Sequence, residues 1–143
     1  MKRFHVNVSV ADLAQSIQFY QNLFAAEPTV RKDDYAKWML DDPCVNFSIS
    51  QSSHLRGINH VGLQATTMQE LETIQQRLRT AGEATYEQPD AECCYARSSK
   101  SWVRDPDGVA WETFVTHKDI AHFGADRTAF ENEAGERKSR CCA

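Results

Sequence analysis

The opening residues alternate strictly. Phe4, Val6, Val8 and Val10 fall on one side of an extended chain, and His5, Asn7 and Ser9 on the other, which is the two-residue period of a strand. The period then changes. Leu13, Ile17, Tyr20, Leu23 and Phe24 recur at helical spacing, and Asp12 stands where an N-cap belongs. Strand-like segments follow at 28–31, 35–40 and 45–50. The order of periods then starts again, because His60-Val61-Gly62-Leu63 repeats His5-Val6-Asn7-Val8 at an offset of 55 residues. A second helix is predicted over 68–81, with Met68, Leu71, Ile74 and Leu78 on one stripe. Thr67 would cap it, Glu70 would complete a capping box and Gly82 would stop it. Strands are predicted over 84–87, 96–103 and 109–115. Each half reads β-α-β-β-β, so the pattern predicts an α+β fold of two tandem βαβββ modules forming one domain, at about 1–54 and 55–117. Beyond residue 117 the large apolar side chains thin out, and 118–143 reads as a flexible C-terminal tail.

Composition narrows the function classes. A chain of 143 residues with 41% hydrophobic content can bury one core. Sixteen Lys+Arg against twenty Asp+Glu leave a net charge of −4, which argues against a nucleic-acid partner. No apolar run nears the roughly 20 residues that cross a bilayer, so no membrane partner is predicted. The first residues carry no apolar signal region, and a cytoplasmic location with reduced thiols is expected. Five cysteines are an odd number for a disulfide framework. Four of them are neighbours, as Cys93-Cys94 and Cys141-Cys142, while Cys44 follows Pro43 at a turn and reads as structural. Adjacent cysteines make poor disulfide partners but can grip one soft, thiophilic atom between two sulfurs.

A second cluster of chemistry comes from the repeat. His5 and His60 lie on equivalent polar strand faces, so they converge if the modules pack about a two-fold axis. Glu112 interrupts the otherwise apolar strand Val109-Ala110-Trp111-Glu112-Thr113-Phe114-Val115. A carboxylate there is costly to bury unless paired or metal-bound. Two histidines and a carboxylate form the facial set that holds Fe(II) with open positions. Plainer readings exist. The histidines can be ordinary strand residues, Glu112 can be paired with Arg104 or Lys100, and the thiols can be incidental. Arg104-Asp105-Pro106-Asp107-Gly108, just before this strand, has the chemistry of a tight turn.

Taken together, His5, His60 and Asp105-Pro106-Asp107-Gly108 followed by Glu112 resemble the vicinal oxygen chelate superfamily. It includes glyoxalase I, bleomycin- and fosfomycin-resistance proteins and extradiol dioxygenases. The resemblance covers roughly residues 1–117. Within that group, Cys93-Cys94 ahead of Ser101-Trp102-Val103-Arg104 resembles the organoarsenical C–As lyases related to cadmium-induced proteins. The resemblance implies Fe(II) held by His5, His60 and Glu112, O2 as co-substrate, and Cys93 and Cys94 binding the arsenic of a trivalent organoarsenical. It implies arsenite as a product.

The second half is the longer between its histidine and Glu112, and the surplus falls at 88–95, so the thiol pair is predicted in an added loop. The first-half position matching Glu112 is Asn46 or Phe47, neither a good ligand, which would leave room for O2 and water. Asn7, Ser9 and Gln64 share the ligand faces. Tyr95, Trp38, Trp102 and Phe114 read mainly as core. Cys141 and Cys142 read either as an accessory arsenic clamp or as an expendable terminus. Arsenite or cadmium sequestration, an extradiol dioxygenase and a glyoxalase-like lyase stay open as alternatives. So do a monomer or homodimer, and module pairing within or between chains.

Overall fold

The computed structural model describes residues 1–124. Its elements run β1 (Arg3–Val10), α1 (Leu13–Phe24), β2 (Val30–Arg31), β3 (Tyr35–Asp41), β4 (Cys44–Gln51), β5 (Gly57–Gln64), α2 (Met68–Thr80), β6 (Tyr86–Cys93), β7 (Ala96–Arg104) and β8 (Ala110–Asp119). The strands form one curled sheet ordered β2-β3-β4-β1-β5-β8-β7-β6. Each module contributes four strands in the same relative order, and the two join within the chain where β1 pairs antiparallel with β5. This is the α+β fold of two βαβββ modules.

The helix signals lie where the pattern puts them. Asp12 accepts from the Gln15 amide at 2.9 Å, and Thr67 accepts from the Glu70 amide at 3.2 Å. Glu70 reaches back one residue further than a capping box requires, to the amide of Thr66 at 2.8 Å. A left-handed residue follows each helix, directly after α1 and one residue beyond the right-handed Ala81 cap after α2. Gly82 adopts φ 79° after α2, but after α1 that position is held by Ala25, at φ 51°.

Under α1 lies the larger core, with Trp38, Ile49, Phe47, Leu13 and Ile17 buried together. Fully burying such a side chain contributes about 1.5–3 kcal/mol. Under α2 the buried cluster is Ala65, Leu71 and Val115.

Three differences from the sequence pattern bear on the site. First, the polar face of β1 is the buried one: His5, Asn7 and Ser9 are 4–6% exposed, whereas Phe4 on the apolar face is 43% exposed. The sheet curls around its polar face, so that face lines an interior hollow. Second, 86–93 is a strand, not an added loop. Strand β6 sits at the sheet edge, where one missing amide at Pro89 is tolerated and no apolar alternation is needed. Third, β8 runs on past Val115 to Asp119, through the point where the composition predicts the start of a tail. Beyond it the chain turns back on the β6–β7 hairpin, as the Ile120 amide donates to the Tyr95 carbonyl at 2.8 Å. Cys141 and Cys142 lie outside the described residues. Among the described residues no helix is long and apolar enough to cross a membrane.

Candidate functional site

The curled sheet encloses a cavity of about 500 Å³. Its walls come from both modules. His5, Asn7, Asn46, Ser48 and Tyr35 line one side, and His60, Glu112, Lys100, Phe114, Cys93 and Cys94 the other.

His5 Nε2 and His60 Nε2 stand 3.1 Å apart. Glu112 Oε2 is 3.5 Å from the first and 3.4 Å from the second. All three residues are buried. The strands meet closely here because β5 carries Gly62 opposite Glu112. A Cβ at that position would lie 2.0 Å from the Glu112 carbonyl oxygen.

The hydrogen bonds behind the imidazoles select their tautomers. His5 Nδ1 donates to the Asn46 carbonyl at 3.0 Å, and His60 Nδ1 donates to Asn59 Oδ1 at 2.8 Å. With the proton on Nδ1, each neutral ring turns a lone pair on Nε2 inward. Two such nitrogens and a carboxylate oxygen crowd one point, an arrangement that a cation relieves. Donors at right angles around an ion about 2.1 Å away would be spaced by roughly 3 Å, so the donor set fits a divalent metal bound on one face. Phe114 packs edge-on against His5, with ring centroids 5.1 Å apart, and Trp102 against His60 at 5.0 Å. Both aromatics, read as core from the sequence, are buttresses of the site, whereas Trp38 lies in the α1 core.

Lys100 completes the cluster. Its Nζ is 2.7 Å from Glu112 Oε1, the oxygen turned away from the histidines. The ion-pair reading of Glu112 therefore holds at Oε1, and Oε2 stays turned toward the two imidazoles. Burial would raise the Glu112 carboxyl, but the Lys100 ammonium and the two imidazoles outweigh it and hold the group well below the usual carboxylate range. Burial pulls His5 down to about 4 against the attraction of Glu112. For Lys100 the carboxylate prevails over burial, and the ammonium is held above its ordinary value. Arg104, the other candidate partner of Glu112, donates to the Gly108 carbonyl at 2.8 Å in the turn before β8. In that turn Asp105 accepts from the amides of Asp107 and Val109, at 3.0 and 2.9 Å.

The thiols sit at the tip of the β6–β7 hairpin. Cys93 ends β6, and the two-residue turn is Cys94-Tyr95, with φ of 56° and 62°. Adjacent residues of an extended chain point to opposite faces. The left-handed turn cancels that alternation and brings the two sulfurs to 3.0 Å of each other. Left-handed backbone at a residue other than glycine costs on the order of 1–2 kcal/mol, and such cost accumulates at functional sites. The bond to Cys93 and burial push the Cys94 thiol well above its ordinary value.

The hairpin tip leans across the cavity mouth onto the first module. Tyr95 Oη donates to Asp34 at 2.6 Å, and its ring packs on Tyr35 and Phe123. Cys44 lies apart from the cavity, with its thiol directed at the Lys2 carbonyl.

The pairing register corrects the alignment of the halves. Gly62 pairs with Glu112, and its first-module equivalent, Asn7, pairs with Ser48. The counterpart of Glu112 is thus Ser48, not Asn46 or Phe47. Phe47 faces the α1 core, and Asn46 donates to Gln64 at 3.0 Å. Among residues not singled out from the sequence, Asn59 occupies an irregularity in the β1–β5 pairing, which a period-two reading does not foresee. Ser48 and Tyr35 carry no motif at all.

Known proteins share this architecture. Residues 2–113 match the family model of the Glyoxalase/Bleomycin resistance protein/Dioxygenase superfamily. Over its whole length the chain is 36% identical to the trivalent organoarsenical cleaving enzyme of Bacillus sp. strain MD1, spanning 91% of that protein. It is 32% identical to the cadmium-induced protein CadI of Mycobacterium tuberculosis, over 99% of this chain and 93% of that one. An extradiol ring-cleaving dioxygenase from B. fuscum shares the fold at 15% identity with a TM-score of 0.62, over 81% of this chain and 32% of that chain. The Mn(II)-bound glyoxalase from Novosphingobium aromaticivorans does so at 17% identity and a TM-score of 0.60, over 90% of this chain and 44% of that chain. On its sequence and its paired-module fold alike, the chain belongs to the Glyoxalase/Bleomycin resistance protein/Dioxygenase superfamily.

Proposed function

We propose that this protein cleaves the carbon–arsenic bond of trivalent organoarsenicals in an Fe(II)- and O2-dependent reaction and releases arsenite. The observation that carries this reading is the convergence of two adjacent thiols and three metal-type donors on one cavity. The name of the relative from Bacillus sp. strain MD1 supports the same substrate class.

His5, His60 and Glu112 would hold a ferrous ion, whose chemistry when bound is the activation of dioxygen for oxidative cleavage. Lys100 occupies Glu112 Oε1 and leaves Oε2 as the single inward donor. Trp102 and Phe114 pack edge-on against the imidazoles and fix their ring planes. Cys93 and Cys94 take up the substrate. In a dihydroxy arsenical, R–As(OH)2, each thiol displaces one hydroxyl, two As–S bonds replace two As–O bonds, and two waters leave. Two tethers fix the direction of the As–C bond, which supplies much of the orientation that the reaction requires.

The test is anaerobic loading with Fe(II), addition of a trivalent phenyl or methyl arsenical, admission of oxygen and assay of free arsenite. Arsenite should appear with the wild type. The Cys93→Ser/Cys94→Ser protein should lose at least about 100-fold in turnover at low substrate, within the range that intramolecular positioning supplies, while still binding Fe(II). Unchanged turnover in that variant would sink the assignment. Capture of the arsenical without any arsenite release would make the protein a sequestering one.

A further inference from the structure

We infer that Tyr35 is a catalytic residue for arsenical capture, donating its phenolic proton to the hydroxyl that leaves arsenic and taking the thiol proton in return. The inference rests on the proposed role of Cys93 and Cys94. It concerns the step before any oxygen chemistry.

Tyr35 opens β3 and is only 4% exposed, yet its side chain faces the cavity with the two thiols and not a helix. Its ring lies 5.7 Å from that of Tyr95, the residue after Cys94, and 6.5 Å from that of Phe123, which packs on Tyr95 in turn. The phenol is therefore held beside the thiol-bearing turn. The phenol shares this cavity with the thiols and with Ser48, whose hydroxyl accepts from Asn7 Nδ2 at 2.8 Å.

Capture needs such a group. The Cys94 thiol is held in its protonated form, and a thiol that keeps its proton is a weak nucleophile. Hydroxide is a poor leaving group unless protonated as it departs. Tyr35 meets both needs with one proton. Its O–H goes to the departing oxygen to make water, the S–H proton passes to the phenolate oxygen, and the As–S bond forms as the As–O bond breaks. No oxidant or reductant is involved. Burial, with the neighbouring thiols, keeps the phenol protonated between captures. Repeating the step at the second thiol completes the tether.

The test uses metal-free, full-length protein carrying Cys141→Ser and Cys142→Ser, so that Cys93-Cys94 is the one adjacent pair. Phenylarsonous acid is mixed in by stopped flow, and fluorescence is followed, since Trp102 lines the cavity. Tyr35→Phe keeps the ring packing and removes only the proton. Association and dissociation should both slow by about tenfold or more, a modest share of what a placed proton donor supplies, while Kd changes less than about twofold. Rates unchanged in Tyr35→Phe would overturn the inference. So would a weakened Kd with an unchanged association rate, the mark of a purely packing role. If the parent protein fails to capture the arsenical at all, or captures it equally well with both Cys93 and Cys94 changed to Ser, the proposed function itself fails.

Discussion

The two modules repeat one topology but divide the labour. The first carries the larger core, with Trp38, Phe47 and Ile49 packed under α1, and offers the cavity one histidine and a wall of Asn and Ser. The second has a smaller buried cluster under α2, but it supplies His60, Glu112, Lys100 and the thiol hairpin. Position for position, the contrast is sharpest at Ser48 against Glu112. The first is a neutral hydroxyl that its neighbours satisfy, and the second is a buried carboxylate held by an ammonium. A duplicated fold thus lets one copy anchor while the other accumulates charged, costly groups at the joint between them.

Making the second module resemble the first at this position gives the largest expected effect. Glu112→Ser strands the Lys100 ammonium in a buried site, which should cost about 3–5 kcal/mol in urea unfolding of the metal-free protein and abolish Fe(II) binding in an anaerobic titration. Adding Lys100→Met should restore most of the stability and none of the binding. A double variant that stays as unstable as the single one would show that the pair is not what Glu112 contributes.

A titration of stability sharpens the comparison from the first module's side. His5 is held at about 4 when folded, below its ordinary 6.5. Between those values the unfolded chain binds the extra proton, so stability rises with pH. The full contribution is present above about 6.5 and is lost as the pH falls toward 4. The change should be about 3 kcal/mol in metal-free protein. Glu112, also depressed, adds a loss in the same direction at more acid pH. Replacing His5 with Gln should flatten the slope between pH 6.5 and 4, read by chemical denaturation at several pH values.

The smallest test compares the helix ends. Gly82 follows α2 in a left-handed conformation, and Ala25 does the same duty after α1. Ala25→Gly should stabilise the protein by about 0.5 kcal/mol, the relief of left-handed strain less the entropy that glycine adds to the unfolded chain. A melting temperature that falls would mean that the Ala25 methyl packs more than it strains.

Much of the fold is legible in the residue pattern. Helices α1 and α2 announce themselves by stripe and cap, because those signals are local. The His5/His60 repeat and the isolated carboxylate at Glu112 stand out as exceptions to apolar patterning. Strand β6 is far less legible. Its residues Gln88 to Cys93 lack alternation, since an edge strand draws its register from a neighbour and not from a buried face. The pattern ends β8 at Val115 for the same reason, because Thr116 to Asp119 pair with β7 without apolar alternation. Counting residues puts the counterpart of Glu112 at Asn46 or Phe47, since position along the chain does not record which residues face each other across parallel strands.

Residue order alone sets the period of each element, the duplication and the inventory of soft and hard donors. Those properties are written in nearest neighbours and in side-chain chemistry. Tertiary packing sets the rest. It makes the polar strand face the buried one, gives one oxygen of Glu112 to Lys100, and brings two adjacent sulfurs together at the cavity through a left-handed turn. The first two outcomes, and the place of the thiol turn at the cavity, depend on the curl of the sheet, which gathers strands far apart in the chain around one space. No local pattern records that curvature.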